Sequence, residues 1–150
     1  MNAYTQINNE DLEWRVSNLM KIPNADFLER TGSHQLGARI WLLPAKSAMT
    51  LHRHYRKEEF YFLLKGIGRI RVGEDVLTVN CYNGVHVAPE VMRQVFNDTE
   101  REALWLIVGA PEHELVPGME GDPTIFYPED PCKLPEEMLG MQWPPINQSS

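Results

Sequence analysis

The chain is short of cysteine, of basic residues and of long apolar runs, and each shortage argues against a class of function. Its two cysteines, Cys81 and Cys132, stand 51 positions apart without CxxC spacing, which argues against a disulfide framework or a thiolate metal site and for free thiols in a reducing compartment. Fourteen Lys and Arg against 21 Asp and Glu leave a net charge of −7 over 150 residues, so no broad basic face for nucleic acid or anionic lipid is expected. No helix-turn-helix pattern is present either. No apolar run approaches the roughly 20 residues that cross a bilayer, and the opening MNAYTQINNEDLEW has neither a basic end nor an apolar stretch. A cytoplasmic protein with neither a membrane nor a nucleic-acid partner is expected.

Proline is absent from Met49 to Val87, whereas eight of the eleven prolines follow position 110. Proline donates no ladder hydrogen bond and is confined to the ends and edges of regular elements. The contrast predicts a regular centre and an irregular end within one domain. The expected divisions are an N-terminal extension at 1–36, a core at 37–110 and a proline-rich C-terminal arm at 111–150. Phe126, Tyr127, Met138, Leu139, Met141 and Trp143 give that arm the apolar side chains a solvated linker lacks, so it should pack on its own core or on a partner subunit.

The centre reads as short runs of β-branched, aromatic and aliphatic residues at 38–43, 49–54, 59–64, 68–72, 76–79, 85–88, 93–97 and 103–109. Turn chemistry separates them: Gly73-Glu74-Asp75, Tyr82-Asn83-Gly84 and Asn97-Asp98-Thr99-Glu100. The predicted class is all-β, with enough strands to close a small barrel or jelly roll. Before the centre, 12–16 reads as an edge strand and 24–28 as a helical turn; after it, 135–139 reads as a single turn begun by proline.

The passage that carries chemistry is Leu51-His52-Arg53-His54-Tyr55-Arg56-Lys57-Glu58-Glu59. Side chains alternate along a strand, so His52 and His54 share a face and Arg53 points away. If 55–58 form a hairpin connection, Glu59 pairs across from His54 on that same face. Two imidazoles and a carboxylate then converge, a donor set suited to one divalent metal ion, be it iron, manganese, nickel or zinc. The alternative is that both histidines are surface residues among the solvated charges Arg53, Arg56 and Lys57.

With Gly66 added, this passage resembles the first motif of the cupin superfamily: H-x-H, three or four residues, Glu, six residues, Gly. Lys46 stands where that family usually has a glycine before the first histidine. The resemblance covers about 38–110 and implies a double-stranded β-helix, or jelly-roll, barrel with its metal inside. The second motif aligns from Gly84 through Asn97, but Arg93 stands at the position of the family's fourth ligand, a histidine, and Ala88 and Glu90 replace its proline and glycine. A guanidinium cannot ligate a metal. Three readings of Arg93 stay open: an anionic substrate bridges it to the cation, it turns outward to an acidic partner, or the pocket has lost metal affinity and binds something else.

Tyr61, two residues after Glu59, should face the interior and, with Arg93, is a candidate catalytic group. Trp41, Met49, Tyr61, His86, Arg93, Phe96 and Trp105 are candidates for contacting substrate, His86 also as a replacement ligand. Phe60, Phe62 and Leu64 make the outer face of their strand apolar as well, so that face needs a cover. The arm or a second subunit would serve, and the resemblance adds that small cupins commonly pair; a homodimer is expected. The expected function is a mononuclear metal-dependent enzyme, dioxygenase-like or a Lewis acid, acting on a small organic molecule, an anionic one included. A non-catalytic ligand-binding barrel, or an isomerase, epimerase or cyclase, are the alternatives.

Overall fold

Ten strands, each too short to bury an apolar face alone, stack as two antiparallel sheets. The computed structural model describes residues 2–110 and 122–146. The strands are β1 (Arg15–Val16), β2 (Pro23–Asp26), β3 (Gly37–Leu43), β4 (Ser47–Ala48), β5 (Glu59–Lys65), β6 (Gly68–Val72), β7 (Asp75–Val79), β8 (Gly84–Val87), β9 (Arg93–Asn97) and β10 (Ala103–Gly109). One sheet has the order β1-β2-β3-β10-β5-β8 and the other β4-β9-β6-β7. Among the described residues the only helical pieces are 3-10 turns, and no helix is long and apolar enough to cross a membrane.

Alternation decides what faces inward. Trp105 pairs with Trp41 on one side and Leu63 on the other, and Ile107 sits between Arg39 and Tyr61, so these residues form two rows across the inner face of the larger sheet. Leu43, Tyr61, Leu63, Ile70, Val95 and Trp105 are buried between the sheets. Burying side chains of this size contributes about 1.5–3 kcal/mol each. β9 is buried along its whole length because its outer face is also covered. There Phe96 lies under the Arg69 guanidinium, and the Gln94 amide donates to Met49 O (3.0 Å) and Lys133 O (2.8 Å).

Three expectations are corrected. The stretch 24–28 is not a helical turn: Asn24 and Asp26 pair with Trp41 and Arg39 as part of β2, and the Arg39 guanidinium donates to both polar side chains, at 2.6 and 3.2 Å. The run 49–54 is not one regular strand. Ser47 faces Asn97 and Ala48 faces Phe96, but the isolated bridge joins His52 to Arg93, so 49–51 carry one extra residue. Such a bulge re-aims the side chains after it. Finally, 55–58 are not a hairpin connection but a crossing between sheets: His52 bridges to β9, whereas Glu59 pairs with Val87 of β8 and Gly109 of β10.

The chain at 122–146 runs beside the bulged stretch. Leu51 N donates to Pro131 O (3.0 Å) and Arg53 N to Phe126 O (2.9 Å), which satisfies edge donors that no strand meets. Met138, in a 3-10 turn after Pro135, is fully buried, and the Trp143 indole donates to Met20 O at 2.6 Å. Residues 111–121 and 147–150 of the expected arm lie outside the described residues.

Gly68 is fixed by close approach, since a Cβ there would fall inside the contact distance of the Trp105 indole. Gly68→Ala should therefore destabilise the protein by about 1–3 kcal/mol through overpacking. Urea unfolding followed by tryptophan fluorescence measures this; an unchanged midpoint would show that Trp105 can give way.

Candidate metal centre

His52 and His54 reach the interior from the four-stranded side and Glu59 from the six-stranded side. Their donor atoms lie within 4.8 Å of one another. The imidazoles meet edge to face with centroids 5.0 Å apart, and His54 Nε2 is 3.2 Å from Glu59 Oε2. His52 Nδ1 lies 3.0 Å from the carbonyl oxygen of Thr50. A carbonyl only accepts, so Nδ1 carries the hydrogen and Nε2 keeps its lone pair, the arrangement that prepares an imidazole for a metal.

Glu59 Oε2 also accepts from the Tyr61 hydroxyl at 2.5 Å, and Lys57 Nζ stands 3.6 Å from Oε1. The Arg93 guanidinium, fully buried, has Nε 3.8 Å from Oε2 and donates from Nη2 to Ala88 O at 3.2 Å. Burial alone would raise the Glu59 pKa, but His54, Lys57 and the Tyr61 hydroxyl outweigh it and hold the carboxyl below the usual carboxylate range. His52 keeps some surface at the mouth, yet surrounding protein atoms desolvate its charged form and, with His54 and Arg93, push its pKa down to about 4 against the pull of Glu59. Burial and the Glu59 carboxylate raise the Tyr61 phenol well above its ordinary value despite Arg93, so it remains a proton donor.

The three candidate ligands border a cavity of about 630 Å³ whose wall also includes Trp41, Met49, Tyr61, Lys57, Ile107 and Arg39. Gly109 keeps it open beside the carboxylate: a Cβ there would stand 3.2 Å from Glu59 Cγ.

No family sequence model matches the chain, and no curated protein matches it by sequence. Solved structures do match it. A cupin-2 domain from Rhodospirillum rubrum superimposes with TM-score 0.62 at 18% identity, covering 72% of this chain and 75% of that one. A sugar phosphate isomerase of the cupin superfamily from Silicibacter pomeroyi gives 0.64 at 16%, covering 71% and 75%. KdgF from a Halomonas species gives 0.65 at 12%, covering 75% and 97%. The fold is that of a cupin.

Within this cupin barrel the residues singled out from sequence separate into groups. His52, His54, Glu59 and Tyr61 come together, and Trp41 and Met49 stand on the cavity wall. Arg93 points inward beside Glu59 rather than outward, with Nε 3.8 Å from Oε2, and is not among the side chains that border the cavity. His86 is corrected outright: it pairs with Phe60 on the outer face, its side chain is 59% exposed, and its Nε2 lies 3.2 Å from Glu58. Strand parity turns it away from the ligands. Phe96 and Trp105 are corrected too, both fully buried, one beneath Arg69 and the other against Gly68 and away from the cavity wall.

Two wall residues went unread. Arg39 interrupts an apolar strand at the same parity as Trp41, a signal that was available. Lys57 reads from sequence as one of several solvated charges, yet it is only 9% exposed.

The depressed His52 pKa has a consequence for stability. Between pH 6.5 and about 4 the unfolded chain takes up a proton at this histidine that the folded chain does not, so stability should fall as pH falls through that window. Chelator-treated protein should show a lower urea midpoint at pH 5 than at pH 7, and His52→Gln should flatten this difference. Equal pH dependence in the variant would assign the loss to other groups.

Proposed function

We propose that the protein is a mononuclear metal-dependent cupin enzyme acting on a small organic molecule, with His52, His54 and Glu59 as the ligands. The observation that carries this is the convergence of those donors on the wall of one cavity, His52 with its tautomer fixed by Thr50. A divalent cation held there would supply Lewis acidity, and iron or manganese would add dioxygen chemistry. Tyr61 holds a proton at its hydroxyl and orients the carboxylate, Trp41, Met49 and Ile107 give the substrate an apolar wall, and Lys57 and Arg93 beside Glu59 favour a negative group on it. A non-catalytic binding barrel is the second reading, favoured by Arg93 standing where a fourth ligand would.

Elemental analysis of protein purified without chelator should give about one metal per chain. His52→Ala and Glu59→Ala should each weaken binding by more than the 10- to 100-fold that loss of an outer-shell partner costs. An unmutated protein that takes up no metal would overturn the enzyme reading in favour of the binding barrel.

The proposal extends to a homodimer in a reducing compartment, the latter suited by the free cysteines 81 and 132. Phe60 is 43% exposed on the outer face, its ring 6.1 Å from Phe62, which in turn lies 6.3 Å from exposed Tyr82. An aromatic patch of this kind marks an association surface. Light scattering should return twice the mass of one chain, and Phe60→Glu should shift it towards monomer; a monomeric mass for the unmutated chain excludes the dimer.

A further inference from the structure

Arg93 is set opposite His52 by the bridge that ends the bulge. Its guanidinium has no exposed surface, and among the described residues Nε and Nη1 have no hydrogen-bond partner; Nη2 alone is engaged, by Ala88 O at 3.2 Å and Val87 O at 3.5 Å. A guanidinium stays charged at any working pH. Its nearest anion is Glu59 Oε2, 3.8 Å from Nε. Glu59 is also the one acidic member of the three candidate ligands, since imidazole binds a metal through a neutral nitrogen. The negative charge that would offset half of a divalent cation is thus already more than matched, by Arg93 and by Lys57, whose Nζ stands 3.6 Å from Glu59 Oε1. A cation entering this buried place would leave three positive charges there that the ligand set does not offset.

We propose that a divalent cation and a small oxyanionic ligand, such as a carboxylate, bind to this site cooperatively, with Arg93 as a residue that makes the cation's affinity depend on the anion. This rests on the reading that His52, His54 and Glu59 hold a cation. The anion enters from the cavity and need not touch Arg93, which acts through Glu59 as a positioning residue. The preference for an anion comes from Arg93 and Lys57 beside Glu59, since Arg39 on the cavity wall is already paired with Asp26 at 3.2 Å. Coupling of this kind is reciprocal, so the cation must tighten the anion by the same factor.

The test is a calorimetric titration of Co²⁺ into the chelator-cleared full chain, with and without saturating acetate. A titration of Co²⁺ into acetate alone corrects for their association in solution, and the visible spectrum of bound Co²⁺ is a second readout. Acetate should tighten Co²⁺ by about tenfold or more, about 1.4 kcal/mol of coupling, and Co²⁺ should tighten acetate equally. Arg93→Met, which removes one of the two positive groups at Glu59, and Arg93→His, which supplies a further donor, should bind Co²⁺ more tightly without acetate and show weaker coupling. The histidine variant and the wild-type coupling keep the test decisive should the methionine variant fail to fold. Tight Co²⁺ binding by the wild type that ignores acetate overturns the inference and leaves the metal reading standing, as does undiminished coupling in folded Arg93 variants. No Co²⁺ binding by the wild type in either condition overturns both.

Discussion

A carboxylate and a guanidinium buried side by side set the terms for this barrel. Glu59 and Arg93 come from opposite sheets and approach to 3.8 Å. At an effective dielectric near 20 their attraction is about 4 kcal/mol, while removing each ion from water costs several. The pair therefore adds little net stability, but losing Glu59 strands Arg93, whose nearest anion it is, at a cost of about 3–5 kcal/mol, whereas losing Arg93 leaves Glu59 with Lys57 and the Tyr61 hydroxyl. Arg93 Nη2 also holds the carbonyls of Val87 and Ala88 where β8 ends, and Glu90 N, in the following turn, donates to His54 O at 2.7 Å. One set of polar contacts thus ties β8, β9, Glu59 and His54 into a single arrangement.

That dependence explains why so much of the site could be read from residue order and so little of its geometry. Alternation along 59–65 correctly places Glu59, Tyr61 and Leu63 inside, because a strand's period is a local property. The pairing of His52 with Arg93 is not local. It follows from one extra residue in 49–51 and from 122–146 taking the outward donors of Leu51 and Arg53, which no window of sequence displays. The same holds for 24–28, where Asn24 and Asp26 look like turn residues until Arg39, across the sheet, satisfies them. His86 turns outward for a different reason. Parity relative to Phe60 decides its face, and that register is set by pairing between β5 and β8 rather than by its own strand.

The cavity itself is a product of omitted side chains. In the row through Glu59, the neighbouring positions on β10 and β3 are the paired glycines 109 and 37, and one row further in Tyr61, Ile107 and Arg39 stand side by side. Space therefore opens next to the carboxylate and closes just below it. A side chain at 109 would press on Glu59 Cγ, and one at 37 would meet the backbone of 109, so the residues that keep the site accessible are the same ones that let the outer ends of the three strands pair closely. A volume of about 630 Å³ lies within the range of small-molecule pockets. Its wall is mixed, with apolar side chains at Trp41, Met49 and Ile107 and charged ones at Asp26, Arg39 and Lys57. The sheet that builds the barrel thus also keeps open the space beside the carboxylate.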